Sequence, residues 1–133
     1  MGRLLVENMP LGRFSETKTG WAPGVSVTLR LPVSGRRIPG IHALIDTGCE
    51  LTRIYQQDVL IGPDEMDYDH ETNTYLIGVE LGGQIYDVRC QYMNFRYAGK
   101  EDMLIGMDLI SNWLMIVHGK RRLLSLTHLE VGD

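Results

Sequence analysis

Over residues 25–31 the chain alternates, with Val25, Val27, Leu29 and Leu31 separated by Ser26, Thr28 and Arg30. This is the period-two pattern of a strand with one buried face. Pro32-Val33-Ser34-Gly35 marks a turn, and the next run, residues 36–45, resumes after Pro39-Gly40 and becomes apolar on both faces at Ala43-Leu44-Ile45. The two segments are predicted to pair as a hairpin. A second hairpin is predicted from residues 74–81 and 84–95, which are rich in β-branched and aromatic residues and are separated by Gly82-Gly83. Between the hairpins the chain is mixed over residues 52–60 and then acidic through "IGPDEMDYDHETN", which reads as an exposed loop. After the loop "YAGKED", the segment "MLIGMDLISNWLMIV" predicts a short helix capped by Asp108 and running through Leu109, Ile110 and Trp113. "HGKR" then turns the chain into a last strand at residues 123–126. The pattern predicts a mainly β protein with one short helix near the C-terminus. It also carries a weak two-fold echo, a hairpin followed by an apolar run closing on glycine, "LIDTG" in one half and "MLIG" in the other.

Composition narrows the class. A chain of 133 residues can bury one core without disulfides or a structural metal. The apolar share of 44% and charged share of 23% are those of a soluble globular protein, and no apolar stretch is long enough to span a bilayer. "MGRLLVENMPLGRF", with Glu7, Pro10 and Arg13, lacks the features of a secretory signal or a lipid anchor. A cytoplasmic protein with no membrane partner is expected. The formal charge of −4 argues against nucleic acid as a partner, and Lys120-Arg121-Arg122 is too short to reverse that. Cys49 and Cys90 have neither Cys-x-x-Cys spacing nor a nearby His pair. Both are expected to be reduced, partly buried thiols, with no metal and no cofactor.

The remaining feature is an apolar run that ends on a carboxylate. Asp46-Thr47-Gly48 follows Ala43-Leu44-Ile45, and further along Leu104-Ile105-Gly106 is followed by a short helix with Met107-Asp108-Leu109 at its start. Together these motifs resemble the retropepsin-like aspartic peptidases over residues 25–126, with residues 1–20 as an N-terminal extension of one domain spanning residues 1–133. The resemblance implies a small closed β-barrel of the retropepsin-like type with one short C-terminal helix. It makes Asp46 the catalytic carboxylate, held with its dimer contact by Thr47 and Gly48, and makes Leu104, Ile105 and Gly106 the brace beneath it. Cys49, Glu50, Ile61 and Gly62 would face the substrate, a peptide or protein.

Peptide hydrolysis of this kind needs two carboxylates, one to take a proton from water and one to give a proton to the carbonyl oxygen. One Asp-Thr-Gly per chain therefore implies a homodimer with Asp46 from each protomer, without metal or cofactor. Terminal strands commonly interleave in dimers of this family. Two departures stand out: Cys49 occupies a place where Ala is usual, and the expected flap is replaced by the shorter, acidic "DVLIGPDEMDYDHE". If that segment lines a cleft, Asp64, Glu65, Asp67 and Asp69 would favour basic substrates.

Other readings stay open. Asp46 could be a structural acid in a turn, since Asp-x-Gly is ordinary turn chemistry. The fold could serve a non-catalytic dimerisation or peptide-binding module, or a self-processing domain cut from a longer polyprotein. A Cys49 nucleophile paired with His42 is disfavoured, because side chains on one strand alternate faces and nothing orients the imidazole toward the thiol. His70, His118 and His128 are expected at the surface, and Trp21, Tyr86, Tyr92 and Trp113 in packing.

Overall fold

In the computed structural model the described residues are 3–17, 20–55, 61–93, 102–118, 120 and 123–132. They form β1 (Arg3–Thr17), β2 (Gly20–Arg30), β3 (Arg37–Ile45), β4 (Arg53–Tyr55), β5 (Asp67–Asp69), β6 (Thr74–Leu81), β7 (Gln84–Met93), β8 (Met103–Ile105), α1 (Met107–Ile110), β9 (Trp113–His118) and β10 (Leu123–Gly132). Six strands close a mixed barrel in the order β2-β3-β8-β4-β7-β6, with β6 returning to β2 through Leu29 opposite Val79. The alternation in β2 has the predicted effect: Val25, Val27, Leu29 and Leu31 are all buried and meet Ile41, Ala43, Ile54, Ile77 and Val79 inside the barrel.

Both predicted hairpins are present. In β2–β3 the register shifts between Val27 and Leu29, which leaves Pro39-Gly40 as a bulge where proline costs the ladder nothing. In β6–β7 the turn residues Gly82 and Gly83 both have positive φ, 60° and 81°, as a two-residue turn matched to strand twist requires.

Three segments differ from expectation. The acidic stretch is half built into the fold: residues 63–65 make a 3-10 turn, β5 pairs with β6, and Ile61 and Met66 are buried in the main core. Two apolar anchors outweigh the loop-like composition around them. Glu65 joins this stretch to the β2–β3 turn, taking a forked pair of hydrogen bonds from Arg36, Nε to Oε1 at 3.0 Å and Nη2 to Oε2 at 2.9 Å. The helix ends at Ile110, so Trp113 opens β9 instead of closing α1. Residues 3–17, which carry no clean alternation, form β1, whose register shift between Asn8 and Leu11 accommodates Pro10.

Beyond the barrel, β1, β10 and β9 extend the sheet from β2. The two terminal strands pair with each other within one chain, from Arg3 opposite Gly132 to Arg13 opposite Leu123. Tyr86 ties this extension to the barrel. Its hydroxyl accepts a hydrogen bond from Trp113 Nε1 at 3.0 Å and lies 2.7 Å from His128 Nδ1, while the Tyr86 and Trp113 rings meet edge to face. His128 is thus half-buried and engaged, not a solvated surface histidine; His70 is exposed, and the side chains of His118 and Trp21 lie outside the described residues. No described helix is long and apolar enough to cross a membrane.

Candidate active site

The two apolar runs singled out in the sequence lie side by side. β3 and β8 pair in parallel, Ala43 with Met103, Leu44 with Leu104 and Ile45 with Ile105. Ala43, Ile45, Met103 and Ile105 face the barrel core, whereas Leu44 and Leu104 join Tyr55 and the partly buried Met93 in a second cluster on the other face. Burial on both sides is why these strands read as unbroken apolar runs. Asp102 brackets their start: its Oδ2 accepts the His42 N–H at 2.8 Å and its own N–H donates to the His42 carbonyl at 2.8 Å.

At the other end the ladder continues one step, with the Asp46 N–H donating to the Ile105 carbonyl at 2.9 Å. Strand alternation then places Asp46 on the Leu44 side, away from the core. The residue is half-buried, and its carboxylate Oδ1 accepts the Gly48 N–H at 3.0 Å. The Cys49 N–H closes the turn onto the Asp46 carbonyl at 3.2 Å. Asp46 therefore makes the local turn that the structural reading anticipates, yet Oδ2 has no hydrogen-bond partner among the described residues. A Cβ at position 48 would stand 3.3 Å from Oδ1, so glycine gives the carboxylate its room. Thr47 is exposed, and its hydroxyl has no partner among the described residues.

Beneath this loop sits the start of α1. The Met107 and Asp108 N–H groups donate to the carbonyls of Cys49 and Glu50 at 2.8 and 3.1 Å, so amides that a helix start leaves unpaired hold the loop after Asp46 instead. Gly106 approaches so closely that a Cβ there would lie 2.7 Å from the Cys49 carbonyl oxygen and 2.9 Å from the Leu51 carbonyl carbon. The N-cap is Gly106, not Asp108. Asp108 does different work, accepting the Thr52 N–H at Oδ2 (3.0 Å) and the Thr52 hydroxyl at Oδ1 (2.8 Å). The Thr52 oxygen in turn accepts the Gly106 N–H at 3.3 Å, and its side chain is fully buried. Sequence reasoning missed Thr52; its only signal was a hydroxyl residue shortly after Asp-Thr-Gly.

The other expected site residues divide. Cys49 and Glu50 line, with Gly48, Leu51, Arg53 and Gln91, a depression of about 270 Å3 beside the Asp46 turn. The Cys49 thiol is buried and donates to the Leu51 carbonyl at 3.0 Å. Cys90 lies wholly within the core, where burial pushes its thiol up to about 12. Ile61 is a core residue, and the Gly62 N–H is taken by Glu65 Oε2 at 2.7 Å; neither borders the depression. Of the four acids expected to face substrate, Glu65 is bonded to Arg36 and Asp67 lies 3.6 Å from Arg89, so their charge is largely met within the chain. Among the described residues no three of His, Cys, Asp and Glu converge as a metal site would require.

No family model matches the chain, and no curated protein matches it in sequence. Among solved structures, the crystal structure of a retropepsin-like aspartic protease from Rickettsia conorii is similar with a TM-score of 0.57 and 13% sequence identity, covering 100% of this chain and 98% of that one. At such identity the likeness is one of fold. With its closed mixed barrel and single short helix, this chain has the retropepsin-like fold.

Proposed function

We propose that the chain is an aspartic endopeptidase whose site is completed by a second copy, each protomer contributing Asp46. The observation that carries this reading is the placement of Asp46: a half-buried residue at the end of the β3–β8 pair, its carboxylate held through one oxygen by Gly48 and without a partner among the described residues at the other. Two such carboxylates across a two-fold axis would share one proton, because like charges that close do not both ionise. The ionised member takes a proton from water, the water oxygen attacks the peptide carbonyl, and the protonated member gives its proton to the carbonyl oxygen. Collapse of the resulting diol returns a proton to the leaving amine, without a covalent enzyme intermediate. The exposed Thr47 hydroxyl, with no intrachain partner among the described residues, is available to the second copy.

The test is mass-spectrometric analysis of a mixed peptide library incubated at acid and neutral pH with the wild-type chain and with Asp46→Asn. Cleavage by the wild type and none by the variant is the expected result. Cleavage indifferent to the substitution would remove Asp46 from the mechanism. Retention of peptides by both proteins without cleavage would instead fit a peptide-binding module.

A further inference from the structure

The depression beside Asp46 carries a charge that the peptidase reading does not use. Gly48, one of its lining residues, is a single hydrogen bond from the Asp46 carboxylate. Across it stands Arg53, the first residue of β4, which lies opposite Leu104 on one side and in parallel register with Gln91 on the other. Its side chain is therefore on the outer face that carries Leu104 and continues toward Asp46. Arg30, Arg36, Arg37 and Arg89 each meet a carboxylate, whereas Arg53 meets none among the described residues. It is instead half-buried, and its Nε donates to Gln91 Oε1 at 3.1 Å. That bond orients the guanidinium and leaves its Nη donors without a partner among the described residues.

We infer that this depression is a subsite for an acidic side chain of the bound peptide, read by Arg53; the inference rests on the peptidase reading for the identity of the ligand as a peptide. A guanidinium held in one plane offers parallel donors matched to a carboxylate, and partial burial shields the pair from water. Glu50 also borders the depression, but its side chain is exposed and can turn to solvent, whereas Arg53 is pinned. The preference is opposite to the basic one suggested by the acidic segment, whose Glu65 and Asp67 already have arginine partners.

Two measurements separate this inference from the peptidase reading. In the first, matched peptides differing only in Glu or Gln at each position are offered to the wild type, to Arg53→Gln and to Arg89→Gln as a charge-matched control. A preference for Glu of roughly tenfold or more at one position is expected in the wild type and the control, falling to about one in Arg53→Gln. The preference should also fade below about pH 4, where the peptide carboxyl protonates. In the second, fluorescence anisotropy follows binding of the same labelled peptides to Asp46→Asn, with and without Arg53→Gln. Acid-selective binding lost with Arg53 supports the subsite even if no peptide is cut by the wild type. Equal treatment of Glu and Gln peptides in binding, or a Glu preference that survives Arg53→Gln, overturns it whether or not peptides are cleaved.

Discussion

Thr52 shows how little of the site's support is visible along the chain. Its amide and hydroxyl both donate to Asp108, and its oxygen takes the Gly106 N–H, so one buried residue joins the loop after Asp46 to the start of α1. Thr52→Val keeps the shape but leaves Oδ1 of the half-buried Asp108 and the N–H of the buried Gly106 each short of one partner. A loss of about 1–3 kcal/mol is expected, seen as a fall of roughly 3–10 °C in Tm by calorimetry, with cleavage reduced further because the loop bearing Asp46 loosens. An unchanged Tm would mean that this contact does not brace the loop. At this scale Asp46-Thr47-Gly48 and Leu104-Ile105-Gly106 were legible, because glycine beside buried aliphatics reports close backbone approach. The Thr52–Asp108 pair was not, since it forms only when β4 and α1 have been brought together. From sequence alone Asp108 therefore reads as a cap.

At the scale of elements, period-two alternation located β2, an apolar run located β3, and β-branched and aromatic content around Gly82-Gly83 located β6 and β7. Such local signals failed where tertiary contacts decide. The acidic segment is an example: Ile61 and Met66 reach the core, and Glu65 fastens the turn between them to Arg36 of the β2–β3 hairpin. First the Gly62 N–H and then the Arg36 guanidinium hold the Glu65 carboxyl below its ordinary 4.5. Glu80, between Arg30 and Arg37 where β2 meets β6, is lowered for the same kind of reason. A carboxyl whose folded value is depressed stabilises the fold at pH above its unfolded value and loses that contribution as pH falls through the folded one. Glu65→Gln should therefore lower Tm at neutral pH, by an amount that shrinks as pH drops below 4.5 and disappears once the wild-type carboxyl is protonated. Thermal scans of both proteins from about pH 2 to pH 7 check this, and a difference independent of pH would contradict it. β1 escaped the sequence reading for a related reason. Its strand character comes from pairing with β10 and β2, while Pro10 and Gly12 interrupt any local pattern.

At the scale of the molecule, the hairpins β2–β3 and β6–β7 flank the antiparallel contact between β4 and β8, with β3 parallel to β8 and β4 parallel to β7. The two apolar runs of the sequence echo, β3 and β8, are thus partners in one pairing and not matching positions of two halves. The terminal strands are paired within the chain, so among the described residues the sheet ends at β9. Leu114, Ile116 and Val117 are 43%, 44% and 47% exposed there, and residues 113–117 carry no charge. Proteins that must stay apart usually protect such an edge with lysine, proline or a bulge. Ile116→Lys is expected to weaken self-association in sedimentation velocity and to lower cleavage at dilute protein, with recovery as concentration rises; unchanged association would show that chains do not meet at this edge. If one catalytic site is built from two copies of Asp46, mixing wild-type and variant chains reveals it. Wild-type chains are incubated with an equal amount of Asp46→Asn long enough for subunits to exchange, and peptide cleavage is measured per wild-type chain. With a shared site, Asp46→Asn alone is inactive and the mixture gives about half the activity per wild-type chain, because half of those chains sit in mixed dimers. Activity in Asp46→Asn alone, or undiminished activity per wild-type chain after full exchange, would contradict a shared site.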